Sequence, residues 1–435
     1  MKVLEKLLET LRAKCAAMPD KRTGKNTQYS MLDMGMAAFS VFFMQNESFL
    51  QHQQMLEDAN GSSNCKTLFG MSEIPTDPHI RKMLDGISPN HFDDIFAKTM
   101  RTMDDESSLM PFRRLGDHVL IALDGTEYFQ SYDIHCANCS HRERKNGKTQ
   151  YHHTFLGATM VAPGHKQAVP LPPEFIVPQD GHDKQDCESI AARRWLEKHG
   201  SAYAGYNPIY LGDDLFSRQP ICDAVKTIGA HFIFTCKPDS HKTITEYLIG
   251  ASFSTHSEKI MIPGGRGKHT THNYRWVCDL PLHDGPEAMN VNWFEMEIVD
   301  ADGKVTYHNS FVTNLLIHQG NIVELAACGR TRWKIENEMF NTLKNNGYNL
   351  THNFGHGKHT LASVLVVLNL IAFAFHTACE ITEELWTEAR NKWKARRRFF
   401  GRLWNVASFL VFSTWDALMA AIIRSPFEGC AAPSG

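Results

Sequence analysis

Two short runs, Val119–Leu123 and Ile209–Leu211, are apolar at every consecutive position, and this limits the chain's folds more than any other feature. Successive side chains of a β-strand point to opposite faces, so a strand without polar alternation must be covered on both sides. Both runs therefore belong in the middle of a sheet. Around them lie β-branched and aromatic runs at Tyr151–Val161, Val169–Val177, Pro208–Leu211 and His231–Cys236, with helical stretches at Lys184–His199 and Gln219–Ile228 between the later ones. That alternation predicts an α/β sheet layered with helices. With 435 residues, 43% of them hydrophobic, the chain can bury a core large enough for several structural units.

The flanks have other patterns. Residues 1–110 carry apolar positions at helical spacing (Val3, Leu4, Leu7, Leu8, Leu11) and then the almost wholly apolar Met31–Met44, which predicts an all-helical N-terminal domain. Gly61–Cys65 and Pro75–Pro78 punctuate it. The α/β pattern fills 111–251. Residues 252–315 alternate around Arg275–Val277, Asn292–Ile298 and Val305–Phe311, with turns at Pro263–Gly267 and Asp302–Gly303, and read as an all-β insertion. Helical sequence resumes near Asn321, runs through Trp333–Lys344 and continues in Thr360–Glu388. Residues 316–385 thus complete the core, and 386–435 form a basic helical C-terminal region. The longest apolar run, Leu361–Phe375, contains Asn369 and falls short of the ~20 residues of a membrane span, so a buried core helix and no membrane partner are expected.

Eleven irregularly spaced cysteines, and no charged-then-apolar leader over Met1–Ala17, point to free thiols and a cytoplasmic location. With 45 basic and 48 acidic side chains the net charge is −3, so a polyanion partner must be met locally. Cations concentrate at Arg142–Lys148 and at Arg390, Lys392, Lys394, Arg396, Arg397, Arg398 and Arg402. The second group is interleaved with Trp393, Phe399 and Phe400, a stripe suited to neutralising phosphates.

Asp124 ends one buried run, in ALDGTEYF, and Asp213 ends the other, in YLGDDLF. The carboxyl ends of central strands face the crevice where open α/β sheets bind ligands. A solvated turn explains one such aspartate; two in one sheet favour a site. In RWKIENEMFNTLKNN, Arg332 and Glu336 are four apart and share a helix face. Asp214 competes with Asp213, its strand neighbour pointing oppositely, and Glu338 competes with Glu336 but is turned away from Arg332.

On these residues the chain resembles the bacterial insertion-sequence transposases of the DDE class. In that family the last catalytic helix carries a Tyr-x2-Arg-x3-Glu-x6-Lys signature, and a β insertion splits the catalytic core. The resemblance covers residues 110 to 375. It implies an RNase H-like core in which Asp124 is the first catalytic acid, Asp213 rather than Asp214 the second and Glu336 the third, with Arg332 as the signature arginine. Gly329 stands where the signature tyrosine belongs, and Lys344 follows Glu336 by eight residues rather than seven, which turns it by roughly 80° on an α-helix. Its long side chain still has the reach for a DNA backbone.

The implied activity is cut-and-paste transposition by phosphodiester hydrolysis and strand transfer, with Mg²⁺ or Mn²⁺ held by Asp124, Asp213 and Glu336. Two hard cations ~3.5–4 Å apart clamp the attacking and leaving oxygens of such a displacement. The implied partners are the element's terminal inverted repeats and target DNA, bound by a homodimer. Arg332, Lys344, Arg396, Arg397, Arg398 and Trp293 are the expected DNA contacts, Trp293 with Trp276 lying in the insertion that helps hold a flipped base in such enzymes. Two other readings are a catalytically inactive transposase-derived DNA-binding protein and a metal-dependent DNA nuclease.

Weaker signals remain. Cys136-x2-Cys139-x-His141, with His152 and His153 on the next strand, offers zinc donors across a hairpin, but no second well-spaced ligand pair accompanies it. The acidic run Asp180, Asp183, Asp186 and Glu188 is expected to decorate a helix N-terminus, where the dipole favours carboxylates. Lys237 and His241 occupy a loop after a strand, within reach of phosphate or solvent.

Overall fold

The computed structural model describes residues 2–24, 27–57, 61–178, 186–262 and 268–424, so Asp180, Asp183 and the Pro263–Gly267 turn lie outside the described residues. One mixed sheet of eleven strands organises the molecule: β1 (Leu120–Ser131), β2 (Ser140–Glu143), β3 (Thr149–Val161), β4 (Val169–Pro170), β5 (Glu174–Ile176), β6 (Ile209–Gly212), β7 (His231–Thr235), β8 (Ser254–Met261), β9 (His269–Pro281), β10 (Asn290–Val299) and β11 (Val305–Thr313). The strand order is β2-β3-β1-β6-β7-β11-β10-β9-β8, with β4 and β5 added on β3. β1, β6 and β7 run parallel; the other pairings are antiparallel. Val119–Leu123 and Ile209–Leu211 are fully buried at its centre, as their unbroken apolar character requires.

The strands of 252–315 continue this sheet. β11 pairs with β7 through Phe311↔Thr235, Val312↔Phe234 and Thr313↔Ile233. It thereby covers an edge that would otherwise present a row of unpaired backbone groups. Burial fades outward from this junction, and β8 at the far edge is mostly exposed. This one-sided covering is what the polar alternation in the sequence records.

Six helices precede the sheet: α1 (Val3–Ala16), α2 (Met31–Phe43), α3 (Phe49–Glu57), α4 (Gly61–Asn64, extended by a π-helical turn to Phe69), α5 (Asp77–Leu84) and α6 (Asp93–Asp105). Ser30 starts α2 with a capping box, its side chain accepting from the Asp33 backbone while Asp33 reaches back. Within the α/β region lie α7 (Glu188–Tyr203), α8 (Gln219–Thr227) and α9 (Lys242–Ile249). After the last strand follow α10 (Ile322–Arg330), α11 (Asn341–Asn345), α12 (Leu361–Thr382), α13 (Glu384–Lys392), α14 (Arg396–Phe409) and α15 (Trp415–Arg424).

α12 is apolar on all sides, and a helix of that kind needs cover all round. Among the described residues it alone is long and apolar enough to cross a membrane, and 94% of its apolar window is buried inside the protein. α1, α2, α6 and α13 pack against it, so residues 1–110 share a core with the C-terminal helices. Asn369, buried midway along it, donates to the Tyr348 carbonyl at 2.9 Å.

The first turn of α12 is capped from the N-terminal helices. The Asp85 carboxylate accepts from four backbone N–H groups, those of Lys358 (2.8 Å), His359 (3.0 Å), Thr360 (3.0 Å) and Leu361 (3.1 Å). Burial works to raise its pKa, and the four donors outweigh burial and hold it below the usual carboxylate value. The stabilisation is therefore present at neutral pH and is lost as pH falls through the depressed folded pKa. Asp85→Ala should cost about 1–3 kcal/mol at pH 7, measured by urea unfolding, and the gap to the parent should narrow in acid. An equal loss at all pH values would contradict the charged cap.

Candidate active site

The parallel pairing of β1 with β6 sets the geometry of the site. Leu120, Ile121 and Ala122 lie beside Ile209, Tyr210 and Leu211, and beyond this pairing the two chains carry Asp124 and Asp213, close enough for the charge of Asp213 to act on Asp124. Asp213 opens the turn after β6, where its Oδ1 accepts from the Leu215 N–H at 2.8 Å. Asp214 is buried and committed elsewhere. It accepts from the Lys237 N–H at 2.6 Å and from the Ser240 hydroxyl, and lies 3.6 Å from His241 Nε2. It anchors the loop after β7, and with it Lys237 and His241.

Arg332 joins the third acid to the first. Its guanidinium lies 3.3 Å from Asp124 Oδ2 and 2.8 Å from Glu336 Oε1. Two backbone features bring the helical segment this close. Gly157, the β3 residue opposite Asp124, has no side chain, and a Cβ there would fall 2.7 Å from the Phe340 ring. Phe340 therefore seats directly on the sheet. Gly329, in the place of the signature tyrosine, is pressed on Ile233 and Phe311, with a Cβ 2.9 Å and 3.0 Å from their atoms.

The segment is not the plain α-helix expected over Trp333–Lys344. A 3₁₀ turn (Thr331–Trp333) leads into a π-helical stretch, Ile335–Phe340, before α11. A π turn holds one extra residue for the same rotation. The eight residues from Glu336 to Lys344 thus span what seven span on an α-helix, and Lys344 returns to within roughly 20° of the Glu336 face. Burial lowers the pKa of the Lys344 ammonium against the pull of Glu127, three residues beyond Asp124 on β1.

A fourth carboxylate joins the site. Glu188, the first residue of α7, lies against Gly125, where an added Cβ would meet its side chain. Both residues sit at the start of α7 as expected: Asp186 accepts from the Cys187 N–H and pairs with Arg194 at 2.7 Å, while Glu188, in the first turn, also reaches the carboxylates. Sequence spacing could not separate the two, because both flank the same helix start.

Several expected DNA contacts lie elsewhere. Trp293 and Trp276 are buried strand residues, and Trp293 packs on Phe253 and Arg275. An aromatic that receives a base needs an open face, and the one beside the site is Trp333, 40% exposed next to Arg332. The basic stripe is divided. Arg396 donates to the Tyr348 hydroxyl at 3.0 Å and pairs with Glu380 at 3.3 Å, and Arg390 pairs with the same Glu380 at 3.2 Å. Arg402 lies over Trp393. Arg397 and Arg398 are exposed. Arg396 is thus a structural cation, because a buried tyrosine and carboxylate capture it.

No family model matches the sequence, and no curated protein matches it. Among solved structures the chain is similar to a piggyBac transposase synaptic complex with hairpin DNA, at a TM-score of 0.42 and 12% identity, over 98% of this chain and 80% of that one.

Asp124, Glu188, Asp213 and Glu336 offer oxygen atoms, the kind of ligand that hard divalent cations take. They do not crowd around one point: among the described residues only a Cys/His cluster brings its donors all within 4.8 Å of one another. Carboxylates that serve two ions need not meet. Burial, and then the charges of Glu336, Glu188 and Asp213, raise the Asp124 pKa from 3.8 to about 7 against the attraction of Arg332. A carboxyl raised in this way weakens folding as pH climbs from its unfolded value to its folded one, because only the folded state resists ionisation. Asp124→Asn should therefore raise the Tm of metal-free protein at pH 8 and leave it nearly unchanged at pH 4. Mg²⁺ should raise the Tm of the parent at pH 8 and do so far less in the variant. A parent Tm indifferent to Mg²⁺ would argue against a cation at this carboxylate.

Proposed function

We propose that the chain is a DDE transposase that cuts and rejoins DNA at Asp124, Asp213 and Glu336, using Mg²⁺ or Mn²⁺. The observation that carries this reading is that Arg332 ties Glu336 to Asp124, while Asp213, in the turn that follows the strand paired in parallel with β1, acts on Asp124 through its charge. The RNase H-like reading of the core is supported by the run β3-β1-β6-β7, antiparallel at its first pairing and parallel at the next two. The substrate in this reading is double-stranded DNA, both the element's terminal inverted repeats and the target, held by a homodimer.

Divalent ions bound by the carboxylates supply Lewis acidity at the attacking and leaving oxygens. The chain's own residues do the rest. Asp124 and Asp213, fixed by the sheet, set the position of the scissile phosphate. Arg332 neutralises Asp124 and Glu336 until DNA arrives, and its planar fork suits a phosphate oxygen pair. Glu188 adds negative charge beside Asp124 and so strengthens the demand for cations. Lys344 and the exposed Arg397 and Arg398 are placed to meet the DNA backbone, and Trp333 presents a face on which a displaced base can stack.

Asp124→Ala, Asp213→Ala and Glu336→Ala should each abolish cleavage of the flanking ends of the chain's own gene while retaining end binding. Asp214→Ala should lower the Tm without removing metal-dependent chemistry. Mn²⁺ should replace Mg²⁺, and Ca²⁺ should support binding without cleavage. Labelled ends distinguish strand transfer from simple hydrolysis, and hydrolysis alone would make the protein a nuclease. Cleavage by all three variants would overturn the site.

The exposed basic residues have their own test. Arg397→Ala with Arg398→Ala should flatten the log–log salt dependence of DNA binding by ~0.9 per lost phosphate contact. Arg396→Ala should instead lower stability by leaving Glu380 underpaired. An unchanged salt slope in the double variant would remove the C-terminal stripe from the DNA interface.

A further inference from the structure

The strand hairpin and the loop before α12 meet in a cluster outside the carboxylate site. Cys136 and Cys139 lie between β1 and β2, His153 is in β3, and His356 is in the loop between α11 and α12. Cys139, His153 and His356 are all more than nine-tenths buried, and Cys136 is half-buried. Their donor atoms face one another. Cys136 Sγ and Cys139 Sγ are 4.0 Å apart, and sulfur and nitrogen atoms approach as Cys136–His153 at 3.6 Å, Cys139–His153 at 3.4 Å, Cys139–His356 at 3.5 Å and His153–His356 at 3.1 Å.

We propose that Cys136, Cys139, His153 and His356 form a closed structural zinc site that clips the β1–β3 end of the sheet to the loop entering α12. A tetrahedral zinc with Zn–S of ~2.3 Å and Zn–N of ~2.05 Å sets S···S near 3.8 Å, S···N near 3.6 Å and N···N near 3.3 Å. The observed separations fall within about 0.3 Å of these. Two thiols and two imidazoles make weak hydrogen bonds to one another, a poor return for burying four polar groups without a cation.

The surroundings fit a metal as well. The Cys136 N–H donates to Cys139 Sγ at 3.4 Å and the Cys139 N–H to the Cys136 carbonyl at 3.1 Å, a tight knuckle that turns both sulfurs to one side. His356 Nδ1 lies 2.9 Å from the Gly357 carbonyl, which can only accept, so Nδ1 carries the proton and Nε2 presents its lone pair to the cluster. Gly357 makes that turn with φ +71°. A Cys136–Cys139 disulfide needs ~2.05 Å between sulfurs and leaves the two histidines unexplained. With all four positions taken by protein, such a zinc is structural and leaves no position for substrate.

The placement gives the clip a purpose. β1 carries Asp124, and the loop holding His356 follows the segment that carries Glu336. Asn138 donates to the His359 carbonyl at 2.8 Å across the same junction. A zinc here would tie the first-acid strand to the third-acid segment at the end remote from their shared arginine.

The test uses the full chain, purified without chelator or added zinc. Elemental analysis should find one zinc per chain, and X-ray absorption should show a first shell of two sulfurs and two nitrogens. Replacement by Co²⁺ should give intense d–d bands of a tetrahedral thiolate site. Cys139→Ser and His356→Gln should lose those bands, and His152→Gln, which the hairpin version of the site would require, should keep them. If the two variants fail to fold, the parent's stoichiometry and first shell decide. Metal-free parent that gives no cobalt bands, a first shell without sulfur, retention of zinc by both variants, or a Cys136–Cys139 disulfide found by alkylation and mass spectrometry would each overturn the proposal. Every readout is metal content or coordination, so the outcome is independent of whether the carboxylates cleave DNA.

Discussion

The parallel pairing of β1 with β6 is the constraint on which the rest depends. Their paired segments, Leu120–Leu123 and Ile209–Leu211, are apolar on two faces and fully buried, so neither can shift without exposing a row of large side chains. A slip of one residue would also carry every side chain of a strand to the other face. The hydrophobic effect thus fixes a register, and the two carboxylates follow it directly, Asp213 in the turn after β6 and Asp124 within β1, which runs on to Ser131 rather than ending at the acid. A core made of Leu120, Ile121, Ile209 and Leu211 positions Asp124 and Asp213 without contacting them beyond their own chain.

That placement has an energetic cost. Four carboxylates gather at one end of the sheet, and a partly buried cluster of like charge resists full ionisation. Arg332 offsets part of this by contacting Asp124 and Glu336 together. The remainder is an attraction for cations that is built into the folded state. Chains carry such unfavourable arrangements where function requires them, and the π-helical turn at Glu336 is another local irregularity at the same place. Without the extra residue of that turn, Lys344 would face away from Glu336 and Glu127.

The sequence made legible whatever was local. Asp124 and Asp213 could be read because each ends its own apolar run, and Arg332 with Glu336 because four residues is one helical turn. α12 could be read as a core helix because nothing but apolar surface satisfies it. What stayed hidden was set by distant partners. Glu188 stands in the first turn of α7 as its spacing implies, but only the fold shows that it also lies on Gly125, and His356 lies 203 residues from the His153 that it faces. Arg396 was read with a surface stripe because Tyr348 and Glu380, which capture it, are not its sequence neighbours on that stripe. Trp293 was legible as a strand residue, but its burial depended on the partners Phe253 and Arg275. The departure at Lys344 was visible as a count of eight, yet only the backbone could show a π turn absorbing it.

The loop before α12 shows how these parts become one body. Its backbone N–H groups are held by Asp85 from the N-terminal helices, and its His356 faces Cys136, Cys139 and His153 from the sheet. Helices and sheet therefore converge on residues 356–361, where irregular chain enters α12 and would otherwise be easily displaced. The two donor sets on either side also differ in kind. Carboxylates suit hard, hydrated ions, whereas thiolates with imidazoles suit zinc. β1 carries Asp124 within its length and ends at Ser131, five residues before Cys136, so in the reading proposed above one strand would serve both the carboxylate set and the structural clip.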